Sequence, residues 1–180
     1  MDRVRSGESS AFAEIVDRYT QPLYALAYRM TGSAEEAEEA VQEIFIRAYR
    51  RLSTFDRERR FFTWLYTIAV NHLRSLGRSA KERRRKEAFA VEDGLEEVLP
   101  SRQEYAPERQ AMQHEAGRLI DRALRELKRE YRLVFVLRHI EGLSIAEVSR
   151  ILNVPENTVK THERRARLQL RDLLFSYGWE

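Results

Sequence analysis

The sequence predicts an all-α protein of two small helical domains joined by a flexible linker. Three observations support this fold class. Apolar residues recur at spacings of three and four along much of the 180-residue chain, which is the period of helices that bury one face. Only seven Gly and four Pro interrupt that pattern. Finally, one highly charged stretch without apolar periodicity separates two periodic halves.

Composition excludes several classes of protein. Charged residues make up 34% of the chain and hydrophobic residues 43%, which indicates folded domains with thin cores. Because there is no cysteine, disulfide bonds and thiolate zinc sites are impossible. No apolar run approaches the roughly 20 residues that cross a bilayer, and the N-terminus lacks a signal-peptide core. We expect a soluble, cytoplasmic protein that does not insert into a membrane.

The first half contains one clear amphipathic helix. Ser33 and Glu36 fit a capping box at its start. Its apolar stripe consists of Ala37, Ala40, Val41, Ile44, Phe45 and Ala48.

In the second half, Pro107 suits the first turn of another helix, whose apolar stripe runs from Met112 through Ala116, Leu119, Ile120, Ala123 and Leu124 to Leu127. The segment "LVFVL", 133–137, has the composition of a strand. We predict a buried helix there instead, because Glu130 to Glu141 ends at Gly142 as a helix does, and no pairing strand lies nearby.

A corner between two helices follows. Ser144 and Glu147 form a second capping box, and Asn153 stands where the chain must turn. Asn tolerates the left-handed backbone conformation better than other residues with a side chain. Pro155 then begins a second helix, whose inner side carries Val159, Ala166 and Leu170. Two helices around such a short turn predict a helix-turn-helix, which places its second helix in the DNA major groove.

The outer face of that second helix carries side chains that contact base edges or phosphates. From 156 to 172 there are five Lys or Arg and three acids. Arg and Lys pair with guanine, Asn with adenine, and Thr with phosphate or a thymine methyl. The alternative is a helical hairpin with a solvated charged face. The candidate DNA-binding residues are Asn157, Thr158, Lys160, Thr161, Arg164 and Arg165.

The first half also carries a basic segment interleaved with aromatic residues. Residues 50–60 hold five Arg and two acids, and residues 74–86 hold seven basic residues and one acid. Between and beside them lie Phe55, Phe61, Phe62, Trp64 and Tyr66. Cations that follow phosphates and rings that stack on unpaired bases suit single-stranded nucleic acid. Phe62, Leu65, Ile68 and Ala69 fit a core, while core packing and base contact stay equally open for Phe61 and Trp64.

The helix before this segment is acidic on its outer side, where Glu35, Glu38, Glu39, Gln42 and Glu43 lie. An acidic face does not suit DNA. It fits either a docking face for a protein partner or a solvated surface, and the sequence leaves both readings open.

These residues resemble a known family. "EEAEEAVQEIFIRAYRRLSTFD", with "FTWLYTIAVNHLRS", looks like the second domain of sigma-70-type initiation factors of bacterial RNA polymerase. "LRELKREYRLVFVLRHIEGLSIAEVSRILNVPENTVKTHERRARLQL" resembles their fourth domain. With only a short linker between the two, the arrangement is similar to the extracytoplasmic-function (ECF) group. The expected boundaries are 1–78 for sigma domain 2, 79–107 for the linker and 108–178 for sigma domain 4.

The resemblance implies a function for each surface. The chain would bind the clamp helices and flap of core RNA polymerase, with Glu39, Gln42, Glu43 and Arg47 on the clamp helices. The helix-turn-helix residues given above would read the minus-thirty-five element as duplex. An anti-sigma factor would inhibit the protein. The minus-ten element would be captured and opened into single strands by Phe55, Arg57, Arg59, Arg60, Phe61, Thr63, Trp64, Asn71 and Arg74.

The sequence departs from the family pattern at three places. The capture loop, 56–60, has no Gly where the family often has one. Asn157 replaces a usual Gly, which adds a side chain that can contact a base or phosphate. His162 and Glu163 stand where a basic and then an apolar residue are usual, so Glu163 falls near the edge of the core. Either a nearby Arg or a position at the edge of the domain would neutralise it.

Two other functions compete with this one. A helix-turn-helix regulator acting without polymerase explains the corner but leaves the aromatic-basic segment and the acidic helix unexplained. An enzyme acting on nucleic acid is the other candidate. The four His show no metal-ligand spacing, and the sequence has no phosphate-binding glycine loop. We therefore expect no catalytic residue, no metal and no cofactor.

Overall fold

A computed structural model of the chain describes residues 9–56, 58, 60–87 and 107–179. The first half consists of three α-helices, with a short 3₁₀ turn at Leu52–Thr54 after the second. They are α1 (Ser9–Thr31), α2 (Ala34–Arg51) and α3 (Phe61–Glu87). The second half consists of α4 (Pro107–Glu126), α5 (Arg129–Phe135), α6 (Ile145–Leu152) and α7 (Glu156–Ser176), with a π-helical turn at Val136–Ile140 that continues α5.

The all-α class is confirmed. Within the residues that the structure describes, there is no β-strand. None of the helices in that part of the chain combines the length and the apolar character needed to cross a membrane.

Helix α2 forms as its pattern predicts. Every residue of the expected stripe is buried, and the helix packs between α1 and α3. Ser33 is the N-cap, and its hydroxyl accepts a hydrogen bond from the Glu36 N–H. Only this half of the expected capping box is present, since the Ser33 N–H donates to Thr31 Oγ1 at 3.4 Å rather than to Glu36. The cap alone satisfies one of the free N–H groups at the start of α2.

Helix α3 supplies the inner wall of the first half. Leu65, Ile68 and Ala69 are buried as expected, and Phe62 is half-buried against Tyr66 with ring centroids 4.0 Å apart. The helix continues to Glu87, past residue 78, where we expect the first domain to end. Residues 88–106 of the expected linker, and the side chains of 78–87, lie outside the description.

The second half confirms the helical prediction for "LVFVL". This segment belongs to α5 and the π turn, and it ends at Gly142, whose φ of +69° favours glycine. Leu124 in α4 and Leu127, which directly follows the helix, are buried. The side chains of Met112 and Ala116 lie outside the described part of the chain.

The two halves share one continuous hydrophobic core, in which α3 packs on α6. Polar contacts reinforce this packing. The fully buried Tyr66 donates its hydroxyl to Glu141 Oε2 at 2.6 Å, and Arg29 Nε lies 3.0 Å from Asp121 Oδ1. Burial and the contact with Glu141 raise the pKa of the Tyr66 hydroxyl above its ordinary value. The phenol therefore stays a neutral donor at any physiological pH.

Replacing Tyr66 with Phe tests this contact. We expect the free energy of unfolding near pH 7 to fall by about 1–3 kcal/mol, because the Glu141 carboxylate keeps its partly buried place without its donor. Denaturant unfolding of the full chain measures this loss.

The loss should depend on pH. Burial raises the pKa of the Glu141 carboxyl, while the hydrogen bond from Tyr66 and the charge of Arg29 oppose that rise. Because the pKa is raised in the folded state, the folded protein binds this proton more tightly than the unfolded chain does. Glu141 therefore favours the fold at low pH, and that contribution is lost as pH rises through its folded-state pKa. At about pH 4 the Glu141 carboxyl takes up a proton, and the hydrogen bond from Tyr66 then goes to a neutral acid, which is a weaker acceptor than a carboxylate. The loss on Tyr66→Phe should therefore be smaller there than near pH 7. An equal loss at both pH values would contradict the role assigned to the carboxylate.

Candidate nucleic-acid interface

Local hydrogen bonds fix where α6 begins. The Ser144 hydroxyl accepts from the Glu147 N–H at 3.2 Å, and Glu147 Oε2 accepts from the Ser144 N–H at 2.9 Å. This reciprocal pair confirms the expected capping box. The bonds from the Ser144 backbone and side chain lower the pKa of the Glu147 carboxyl below its ordinary value. The first turn of α6 therefore carries an ionised acid at neutral pH.

The corner after α6 has the left-handed geometry that the sequence predicts. Asn153 has φ 52° and ψ 51°, and it is the one residue other than glycine with positive φ in the described parts of the chain. The Val154 N–H donates to the Ser149 carbonyl at 3.1 Å, and the Ser149 hydroxyl donates to the Val154 carbonyl at 2.6 Å. These crossed bonds fix the direction in which α7 leaves the corner.

Helix α7 separates its two faces as predicted. Val159, Ala166 and Leu170 are buried on the inner side. The candidate DNA-binding residues lie together on the other side, where Thr158 is half-buried and the rest are exposed. Arg165 differs from the others because its side chain turns towards α5, where its Nη1 donates to the Tyr131 hydroxyl at 3.0 Å. The exposed basic face thus consists of Lys160 and Arg164, with Arg165 at its edge.

The aromatic residues of the first half pack on one another. The rings of Phe55, Phe61 and Trp64 have centroids 5.3 to 5.4 Å apart. Phe55 is buried, whereas Phe61 and Trp64 are half-buried, so each keeps part of a ring face accessible. The Thr63 hydroxyl oxygen is buried and has no hydrogen-bond partner in the described structure. Phe61 and Trp64 therefore pack against Phe55 and remain partly exposed, and their contact with a base stays a prediction.

The cationic residues of the first half contact the second half. Arg60 Nη1 lies 3.0 Å from Glu147 Oε1, and Arg74 Nη1 donates to the Leu152 carbonyl at 3.0 Å. Helix α6 therefore provides partners for two residues of the expected minus-ten set. Asn71 is exposed. Two further members of that set, Arg57 and Arg59, lie outside the described residues.

The acidic face of α2 contains apolar residues that the sequence analysis missed. Glu39 and Gln42 are exposed, and Arg47 Nε lies 2.6 Å from Glu43 Oε1. The hydrogen bond from Arg47 lowers the pKa of the Glu43 carboxyl. Beside them, Ile46 is 44% exposed and Tyr49 is 57% exposed. Their position off the buried stripe was the signal available in the sequence.

A second apolar surface is a groove of about 970 Å³ between α4, α5 and α7, which the sequence analysis also missed. Its walls include Ile120, Phe135 and Leu174, and Phe175 beside it is 72% exposed. Arginines line it as well: Arg164, Arg167 and Arg171. Such a groove fits an apolar helix with acidic flanks.

In the described part of the chain, no three His, Asp or Glu side chains come together as metal ligands do.

Comparison with known families gives two matches in chain order. Residues 15–85 match Sigma-70 region 2, and residues 117–170 match Sigma-70, region 4. The ECF RNA polymerase sigma factor SigW of Bacillus subtilis (strain 168) is 40% identical over 179 residues, which cover 95% of each chain. The ECF RNA polymerase sigma-E factor of Escherichia coli (strain K12) is 33% identical over 175 residues, which cover 93% of this chain and 88% of that one.

Two solved structures share the fold. One is the sigma factor RpoE in complex with the anti-sigma factor NepR from Bartonella quintana, with a TM-score of 0.74 and 21% identity over 91% of this chain and 96% of that chain. The other is CnrH in complex with the cytosolic domain of CnrY, with a TM-score of 0.70 and 26% identity over 97% of this chain and 94% of that chain. The architecture described above is therefore one that solved proteins adopt.

Substitutions at Asn153 test the corner. We expect Asn153→Ala to lower the free energy of unfolding by about 1–2 kcal/mol, because a Cβ without a local hydrogen-bonding group disfavours positive φ. Asn153→Gly is the matched control and should be nearly neutral, because glycine adopts this conformation without strain. Denaturant titration of both variants measures the difference. Equal stabilities of the Ala and Gly variants would show that the left-handed conformation is not retained in solution.

Proposed function

This chain belongs to the ECF group of the sigma-70 family, the initiation factors that direct core RNA polymerase to promoters, and on that premise we propose which surface performs each step. Residues 1–78 dock on polymerase and open the minus-ten element, residues 108–178 read the minus-thirty-five element, and residues 79–107 connect them. The protein acts in the cytoplasm and contributes no catalytic group of its own. The observation that carries this proposal is the exposed basic face of α7 behind a fixed corner.

The minus-thirty-five element is read as duplex by α7. Its N-terminal turns carry Asn157, Lys160 and Thr161 on the exposed face, and the N-terminal part of a recognition helix is what contacts base edges. Arg164 follows one turn later and reaches a base edge or the adjacent phosphate. Arg165, held by Tyr131, suits a phosphate contact at the edge of the interface.

The minus-ten element is held by the edge of the first half around the start of α3. Phe55 packs beneath Phe61 and Trp64, whose accessible faces offer a stacking surface to an unpaired base. Asn71 is exposed two turns after Trp64 on α3, which suits a contact with the single DNA strand next to the stacked base. Flipping a base out of the duplex costs a few kcal/mol, and each stacked base recovers about 1–3 kcal/mol.

Strand capture requires α6 to release two of its contacts. Arg60 and Arg74 are bonded to Glu147 and to the Leu152 carbonyl, so they reach phosphates only after exchanging those partners. The Arg60 side chain is 82% exposed, which makes its ion pair a weak one. The proposed open complex therefore has the two halves further apart than they are in the free chain.

Core polymerase binds two separate surfaces. The clamp helices dock on α2, where Glu39, Gln42 and the Glu43–Arg47 pair surround the exposed Ile46. The flap docks in the groove between α4, α5 and α7, where Arg167 and Arg171 suit acidic flanks on the incoming helix. Two contacts on a single chain act together, because binding at the first raises the effective concentration at the second.

An anti-sigma factor is the expected inhibitor. The two solved structures named above each contain a protein partner, and the partner of RpoE is the anti-sigma factor NepR. For this chain, a partner that covers α2 or the groove excludes polymerase by occupying the same apolar residues. Such competition needs no change in the fold of either half.

Run-off transcription with purified core polymerase and a library of random promoters tests the whole proposal. Initiation that depends on this chain, with two enriched promoter elements, supports it. Sequence-selective binding of the chain alone to duplex DNA, without initiation, would instead favour a conventional regulator.

Lys160 provides the test of duplex reading. We expect Lys160→Ala to weaken holoenzyme binding to the minus-thirty-five element by about 1–3 kcal/mol, which is the value of a base contact. Arg118→Ala, which removes an exposed cation from α4, is the control for the loss of one positive charge. Equal effects of the two variants in a titration against the selected promoter would remove Lys160 from base reading.

Asn71 and Trp64 provide the test of strand opening. Asn71→Ala alters an exposed position, so it should leave the fold intact, keep closed-complex affinity and reduce permanganate reactivity of the minus-ten region. Trp64→Ala should reduce that reactivity more than Asn71→Ala does, because it removes a stacking face for the unpaired base. A normal permanganate footprint in both variants would leave Trp64 with a packing role only.

A further inference from the structure

Glu163 is an acidic residue in the middle of the helix that we assign to DNA reading. It follows Val159 by one turn and precedes Ala166 by three residues, and both of those side chains are fully buried. Only 15% of its own side chain is exposed. A carboxylate in such a place needs a partner, because desolvating an unpaired charge is costly.

The π turn supplies two partners. His139 Nε2 lies 3.0 Å from Glu163 Oε1, and Arg138 Nε lies 3.4 Å from the same oxygen. The Arg138 contact is an ion pair without hydrogen-bond geometry, while Arg138 Nη1 donates to the Leu143 carbonyl. The His139 ring lies against Phe135, with centroids 4.7 Å apart. Glu163 is thus linked to the segment that leads into α6.

The π turn explains how two consecutive residues reach one oxygen. The Glu141 N–H donates to the Val136 carbonyl, five residues back, at 3.0 Å. In a regular α-helix, neighbouring side chains point about 100° apart. The wider turn changes the direction of Arg138 and His139 relative to the helix before it. Such single π turns are frequent at functional positions.

We propose that Glu163 is a positioning residue for promoter reading, which acts through Arg138 and His139 to set the rotation of α7 and so aims Lys160 and Arg164 at the bases. The inference rests on the reading of duplex DNA by α7 proposed above. Lys160 lies three residues before Glu163 and Arg164 lies one after it, so a rotation of α7 displaces both. Hydrogen bonds to base edges tolerate only a few tenths of an ångström.

Simple electrostatics predicts the opposite effect of removing this charge. A carboxylate close to a polyanion is repelled by it, so neutralising the acid would strengthen binding to every DNA sequence alike. Positioning affects only the contacts that depend on alignment, which are the base contacts. The ratio of specific to non-specific affinity therefore distinguishes the two roles.

Glu163→Gln in the holoenzyme is the decisive variant, because it keeps the size of the side chain and removes the charge. Affinities are measured for the selected promoter and for the same DNA with a scrambled minus-thirty-five element. We expect the ratio of the two affinities to fall by about fivefold or more, with binding to the scrambled DNA unchanged or tighter. Asp172→Asn, an exposed acid on the same helix, is the control and should leave the ratio unchanged.

His139→Ala breaks the same contact from the other side, because alanine has no donor for Glu163, and it does not alter α7. We expect it to lower the ratio in the same direction and to add nothing further in the Glu163→Gln background, because both changes remove one interaction. Lys160→Ala should also cost less in the Glu163→Gln background than alone. If Glu163→Gln does not fold, as judged by its unfolding transition, the exposed His139 position still provides the test.

An unchanged or higher ratio in Glu163→Gln and His139→Ala would overturn the inference while leaving the function of α7 intact. Additive costs of Lys160→Ala and Glu163→Gln would also overturn it. If the unmodified holoenzyme does not distinguish the two DNAs, the assignment of α7 to base reading fails first, and the inference fails with it.

Discussion

The corner between α6 and α7 is the constraint on which the second half depends. An isolated helix of eight residues is marginal in water, so α6 needs both of its ends fixed. Ser144 and Glu147 fix the start, and the left-handed Asn153 with the crossed Ser149–Val154 bonds fixes the end. Because α6 packs on α7 and also on α3, these bonds orient the recognition helix and the contact between the halves together.

The contacts between the halves differ in strength. Tyr66 and Glu141 meet where water is largely excluded, and the burial of that acid raises its pKa. Arg60, by contrast, is mostly exposed beside Glu147, and pairs of this kind contribute about 0–1 kcal/mol and weaken in salt. The cost of separating the halves therefore lies mainly in the buried contact and the shared apolar core, whereas Arg60 is released readily.

The sequence was sufficient where structure is determined locally. The α2 stripe, the α6 capping box and the Asn153 corner each depend on residues a few positions apart, and all three were predicted. Tyr66 and Glu141 are 75 residues apart, and no periodicity encodes how two helical halves pack. The sequence placed Glu163 near the core edge and left two ways of neutralising it, a nearby Arg or a position at the edge of the domain. It could not identify Arg138 or add His139, because no residue type signals a π turn. Surfaces such as the groove at Phe135 require the packing of three helices and had no sequence signature.

The partners of the basic residues in the free chain resemble those that DNA offers. Arg60 faces a carboxylate, and Arg74 faces the Leu152 carbonyl at the C-terminal end of α6, where the helix dipole adds partial negative charge. A DNA strand presents full charges at regular spacing and releases counterions when it binds, so it competes well against one carboxylate and one carbonyl. Helix α6 thus keeps these cations paired while allowing exchange, and the same short helix positions α7. The bonds that fix the corner all lie within the second half, so separating the halves leaves those bonds unbroken.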